Sequence, residues 1–124
     1  MLNLKTTDIL TFVPSGPDFE TAIQFYVEIG FEVCWRDENL ATLQKDDSRF
    51  FLQNINNWGK GNFMMSLKVE NVDDWWEMLQ PLNLHERYEG VKLKASENYP
   101  WGKREIHLIA PSGILWHISS PTKE

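Results

Sequence analysis

The chain has one cysteine, Cys34, in 124 residues. A lone thiol excludes an intrachain disulfide and any cysteine-rich zinc site. Basic residues are also in the minority, with 12 Lys and Arg against 18 Asp and Glu, a net charge of −6. Recognition of nucleic acid through its phosphates needs a basic footprint, so that class is excluded. The acidity is compatible with a neutral or cationic small ligand, and it also simply aids solubility. No apolar run approaches the roughly 18 residues of a membrane-spanning helix. The N-terminal MLNLKTTDIL lacks a signal peptide's apolar region and cleavage site. A cytoplasmic protein without membrane attachment is the expectation. What the chain has in excess is aromatics, 13% of residues with 6 tryptophans, and large aromatics line cores, pockets and interfaces.

The length fits a single domain over 1–124. Residues 7–13, TDILTFV, are β-branched and aromatic and predict a strand, which Pro14-Ser15-Gly16-Pro17 ends. Asp18 suits a helix N-cap, and Phe19, Ala22, Ile23, Tyr26 and Ile29 form an apolar helical face before Gly30 closes it. Strands are predicted at Phe31–Arg36, Leu40–Gln44 and Arg49–Gln53, with Asp46-Asp47-Ser48 as a turn. Module one thus spans 7–54, and Ile55 to Gly61 forms a linker. Module two, 62–120, repeats the order. A strand at Phe63–Val69 is followed by a helix capped by Asn71, with Val72, Trp75, Trp76 and Leu79 as its apolar stripe and Pro81 as its stop. Short strands are predicted at His85–Tyr88 and Val91–Ala95. The fold class is α+β: two βαβββ modules forming a curved, mostly antiparallel half-barrel with helices on the convex side.

The last stretch, Asn98 to Ile118, carries the densest chemistry. Alternating runs Arg104–Ile109 and Ile114–Ser119 flank Pro111-Ser112-Gly113, a turn sequence in which proline presets φ and glycine accepts positive φ. Alternation puts Glu105, His107 and Ile109 on one face, with Leu115 and His117 sharing it. His107 and His117 become cross-strand neighbours. The same counting assigns Phe51, Gln53, Met64 and Ser66 to the ligand-facing side, together with Cys34 and Arg36. Trp35, Trp116, Trp75 and Trp76 are assigned to the core. Trp101 and Trp58, on glycine-flanked loops, are assigned to the pocket rim, with a dimer interface as the other place for Trp58.

Asp18 to Phe31, DFETAIQFYVEIGF, resembles the first helix and second strand of the vicinal oxygen chelate superfamily, which contains glyoxalase I, extradiol dioxygenases and bleomycin resistance proteins. Val69-Glu70-Asn71-Val72 is similar to the start of that family's second helix. Pro100-Trp101-Gly102-Lys103-Arg104-Glu105 and Ala110-Pro111-Ser112-Gly113 resemble elements of the bleomycin resistance branch, with Ala110 where the family carries Asp. The resemblance covers nearly the whole chain. It implies paired modules and a homodimer, with exchanged segments as one form of it. It does not fix function, because one fold hosts lyases, dioxygenases and non-enzymatic binders.

Metal-dependent members carry His, Glu or Gln at four strand positions. Here these fall at Ile9 or Thr11, near Gln53, at Met64 and at His117. Only Gln53 and His117 offer suitable donors, and no carboxylate balances the charge. The expectation is no metal and no cofactor, with a divalent metal as the alternative. The resulting reading is a metal-free protein that sequesters a planar or cationic organic ligand in an aromatic pocket at a dimer interface, lined by Phe51, Gln53, Met64, Ser66, Trp101, His107, Leu115, His117 and Trp58. The alternative is a glyoxalase- or dioxygenase-like enzyme with an atypical site of His107, His117 and Glu105, a trio also suited to general acid–base work.

Overall fold

The computed structural model describes residues 2–56 and 63–122. The linker assigned to Ile55–Gly61 lies mostly outside these residues, and so does Trp58. The elements in chain order are β1 (Phe12–Pro14), α1 (Phe19–Glu28), β2 (Glu32–Arg36), β3 (Leu40–Lys45), β4 (Ser48–Gln53), β5 (Met64–Lys68), α2 (Val72–Leu79), a 3₁₀ turn (Gln80–Leu82), α3 (Leu84–Arg87), β6 (Lys92–Asn98), β7 (Lys103–Ile109) and β8 (Leu115–Pro121). They form two four-stranded mixed sheets, ordered β1-β4-β3-β2 and β5-β8-β7-β6. In each sheet one pair is parallel, β1 with β4 and β5 with β8. The remaining pairs are antiparallel. Neither sheet closes into a barrel, and the α+β class read from the sequence holds.

The helices start where the sequence places their caps. The Asp18 carboxylate accepts from the Thr21 N–H at 3.1 Å, and the Asn71 side chain accepts from the N–H groups of Asp73 and Asp74. Each satisfies donors that the first helical turn leaves without partners. After α1, Gly30 takes φ +117, and the Phe31 N–H returns to the Tyr26 carbonyl at 3.0 Å. That chain reversal turns Phe31 into the core beneath the helix.

Two expected elements differ. The strand predicted over 7–13 reduces to Phe12–Pro14, because only this part reaches an edge of β4 to pair with. Ile9 is 97% exposed. The strand predicted at His85–Tyr88 is instead the short helix α3. Asn83, at φ 52, reverses the chain after the proline-containing turn. Leu84 and Tyr88 are then both buried, four residues apart. That spacing matches a helical turn, not strand alternation.

Both sheets send one face into a single core cluster covered by the helices. Its centre is aromatic. Tyr26 packs edge-on to Phe50 and Trp116 at 5.2 and 5.7 Å, and Phe50 lies 5.2 Å from Trp116. Trp116 belongs to β8 and the other two to the first half of the chain, so this cluster joins the sheets. The Trp116 indole N–H donates to the Tyr26 hydroxyl at 3.1 Å in the buried interior. Burial pushes the Tyr26 hydroxyl far above its ordinary pKa, against the opposing effect of the indole hydrogen bond. A second tie lies at the rim, where Glu28 of α1 accepts from Arg87 and from the Tyr88 hydroxyl. Among the described residues no helix is long and apolar enough to cross a membrane.

Removing the Tyr26 hydroxyl tests the joint. Tyr26→Phe leaves a buried indole N–H without an acceptor and is expected to cost about 1–3 kcal/mol in denaturant unfolding. The rim tie gives a pH signature. The Arg87 hydrogen bond holds the Glu28 carboxyl below its ordinary pKa, with Tyr88 adding to it and burial opposing. Its contribution is therefore full above the unfolded pKa and disappears as pH falls through the folded one. Glu28→Gln is expected to cost about 1 kcal/mol at neutral pH, and the gap to the wild type should narrow on acidification.

Candidate functional site

The face of each sheet opposite the core carries the predicted ligand residues. In β7 and β8 the register pairs Glu105 with Ser119, His107 with His117 and Ile109 with Leu115. Their neighbours Ile106, Leu108, Trp116 and Ile118 are buried in the core. The β7–β8 turn closes as expected, with the Gly113 N–H donating to the Ala110 carbonyl at 2.8 Å and Gly113 at φ +90. This turn fixes the register that brings the two histidines opposite each other.

Glu105 is the centre of the cluster. It is 5% exposed. One of its oxygens, Oε1, lies 2.8 Å from His107 Nε2 and 3.1 Å from His117 Nδ1. The other oxygen accepts from the Trp101 indole N–H at 3.1 Å. Burial raises the Glu105 pKa, but hydrogen bonds from His107, His117 and Trp101 outweigh it and leave the carboxyl below its ordinary value. The two imidazoles meet edge to face at 4.8 Å. Met64 closes one side, its Sδ 3.3 Å from His117 Nε2.

Above the carboxylate stands a ladder of parallel rings. Trp101 stacks on Tyr99 at 4.7 Å, and Tyr99 stacks on His107 at 4.8 Å. The β6–β7 turn creates it. The Tyr99 N–H bonds the Lys103 carbonyl at 2.8 Å and the Gly102 N–H returns to Tyr99, with Gly102 at φ +84. That tight turn brings Tyr99 and Trp101 side by side. Trp101 is anchored at its N–H edge, yet it is 58% exposed. Tyr99 was not assigned to the site from the sequence. The signal was present in Tyr99-Pro100-Trp101, two aromatics around a proline in a hairpin loop.

The first sheet carries a second patch. Phe12 stacks on Phe51 at 4.8 Å, and Gln53 lies beside them on β4. The tertiary structure adds Phe12 and Trp35 to this face and removes Arg36. A β-bulge between Val33 and Trp35 shifts the pairing of β2, so that Trp35 stands opposite Thr42 and Arg36 opposite Ala41. The extra residue reverses the strand's parity beyond it. Trp35, assigned to the core, is instead exposed. Arg36 points to the helix side, where it bonds Glu20. Cys34 precedes the reversal and remains beside Gln44, its Sγ 3.5 Å from the amide oxygen. Trp116 is buried as expected, and Trp75 and Trp76 are partly buried against the core.

The two patches lie on different sheets. Among the described residues, their ring contacts stay within their own sheets, whereas the contacts joining the sheets lie on the core side. A cavity of about 410 Å³ lies between Asp8–Leu10, Ser48–Phe50 and β5. Ser66 is the one predicted ligand residue that lines it.

The four positions that the resemblance assigns to metal ligands do not suit a divalent ion here. Ile9 is apolar and outside β1, and Gln53 lies in the first sheet. Met64 gives a thioether and His117 an imidazole. A hard or borderline ion wants oxygen and nitrogen donors with a balancing charge, and this set has no carboxylate.

No protein-family model matches the chain. A bleomycin resistance protein from Klebsiella pneumoniae is 26% identical over 108 residues, covering 82% of each chain. Among solved structures, a bleomycin-binding protein complexed with bleomycin superposes with a TM-score of 0.81 at 22% identity, over 94% of this chain and 100% of the other. An antibiotic-binding protein from a Streptomyces species gives a TM-score of 0.70 at 23% identity, over 97% and 100%. A glyoxalase/bleomycin resistance protein/dioxygenase from Nocardioides gives 0.70 at 16%, over 98% and 88%. The chain shares its fold with these bleomycin-binding and glyoxalase/bleomycin resistance/dioxygenase structures.

The bulge assignment has a direct check. Trp35→Ala, on the open face, is expected to change stability by no more than about 0.5 kcal/mol. Trp116→Ala, in the core, should cost about 3–5 kcal/mol. Paired urea titrations of the two variants distinguish this arrangement from one with both rings buried.

Proposed function

We propose that this chain is a cytoplasmic sequestering protein that binds a planar or cationic organic molecule, as the names of its bleomycin-binding and antibiotic-binding relatives suggest. One observation carries the reading. The Trp101–Tyr99–His107 ladder presents a flat, partly exposed aromatic wall with a buried carboxylate at its foot. A flat ring stacks on such a wall, and a cationic group is favoured near the charge. In the proposed assembly, two copies of the chain form a homodimer. The Phe12–Phe51 patch of one copy faces the His107–His117 patch of the other, giving two clefts. Unpaired apolar exposure on both faces supports this, with Phe12 46% and Met64 53% exposed.

A second reading draws on the contact of Glu105 with His107 and His117. A carboxylate that orients an imidazole is an acid–base device, and a glyoxalase- or dioxygenase-like reaction would use it. Turnover separates the two readings, since an enzyme should lose conversion in His117→Ala while retaining substrate affinity. A sequestering protein should show no conversion at any stage.

Bleomycin is the first ligand to test, by tryptophan fluorescence and calorimetry. Saturable quenching and heat are expected at micromolar drug, and Trp101→Ala should weaken binding about tenfold. Neither signal at that concentration would exclude this drug. Sedimentation should show a dimer, and a monomer at binding concentrations would exclude the two-cleft arrangement.

A further inference from the structure

We propose that Glu105, His107 and His117 bind a divalent first-row transition ion, at a site that shares only His117 with the four family positions. The proposal goes beyond ligand sequestration and does not depend on it.

Three observations carry it. First, the donors already converge. Glu105 Oε1 is 2.8 Å from His107 Nε2 and 3.1 Å from His117 Nδ1, and one donor atom from each residue fits within 4.8 Å of the others. Donors around one tetrahedral ion lie roughly 3.3 Å apart. The set is tight along its carboxylate contacts and wide elsewhere. Closing round an ion therefore asks for side-chain rotation and no strand movement, because the β7–β8 register already holds all three.

Second, the buried negative charge is held without a fixed cation. Glu105 is buried, and its hydrogen-bonding partners are two imidazoles and an indole. None of these is a fixed cation. Hydrogen bonds and not an ion pair hold the carboxylate charged, and a divalent ion supplies the permanent positive partner.

Third, supporting contacts surround the donors. Trp101 fixes the second carboxylate oxygen at 3.1 Å. The Tyr99 hydroxyl lies 3.5 Å from His107 Nδ1 while its ring stacks on the imidazole. Outer contacts of this kind orient metal ligands and tune their basicity. Two nitrogens and one oxygen suit zinc, nickel, cobalt or iron(II), and not magnesium or calcium, which require oxygen-rich shells.

The test uses the full chain after removal of any purification tag and dialysis against EDTA. Cobalt(II) is titrated while its visible d–d absorption is recorded, followed by competition with zinc in a calorimeter. One ion per chain is expected, with affinity reduced at least tenfold in His107→Ala, His117→Ala and Glu105→Gln. Glu105→Gln retains the side-chain volume, and thermal unfolding of each variant shows that loss of binding is not loss of fold. His85→Ala, at the exposed third histidine, should bind as the wild type does. The proposal is overturned if no ion binds up to about 1 mM, if binding survives in His107→Ala and His117→Ala, or if it disappears in His85→Ala. Because bleomycin binding is read separately on the metal-free protein, either proposal can fail while the other stands.

Discussion

The register of β7 against β8 is the constraint on which the rest depends. It pairs Leu108 with Trp116 and His107 with His117. Adjacent residues on a strand point to opposite faces. One residue inward is the indole that joins the two sheets through Tyr26 and Phe50. One residue outward is the imidazole that meets Glu105. A slip of one position would bury the histidines and expose Trp116. The core and the candidate site are therefore two faces of the same hairpin, and neither can be rearranged without the other.

Around that hairpin, polar groups are placed where apolar packing can hold them still. Both oxygens of Glu105 are engaged, by two imidazoles and an indole. The ring ladder is similarly fixed by a short turn with Gly102 at positive φ. Rigidity of this kind suits recognition, because little ordering remains to be done when a ligand arrives. The exposure of Trp101 beside a fully engaged carboxylate combines an open wall with a fixed charge.

Much of this architecture was legible in the chain. Asp18 and Asn71 mark the helix starts because a short acceptor ahead of an apolar stripe satisfies the first-turn donors. Pro111-Ser112-Gly113 marks the hairpin, and from there alternation alone brings Glu105, His107 and His117 to one face. The α3 helix is not legible in the chain because Leu84 and Tyr88 lie in a segment too short to show a period clearly. The outward placement of Trp35 is not legible either, because a bulge leaves no mark in apolar alternation yet reverses every side chain beyond it.

The sequence by itself determined local matters: the caps, the turns, the strand faces of the final hairpin and the likeness to the vicinal oxygen chelate superfamily. These depend on contacts between residues close in the chain or on a fixed strand period. The tertiary structure decided which surfaces meet. It placed Phe51 and His117 on separate open patches, stacked Tyr99 between Trp101 and His107, and turned Arg36 to Glu20 on the helix side. Those outcomes depend on sheet order, on a bulge and on packing between distant segments. Such features are set by the whole core at once and by no single stretch of residues.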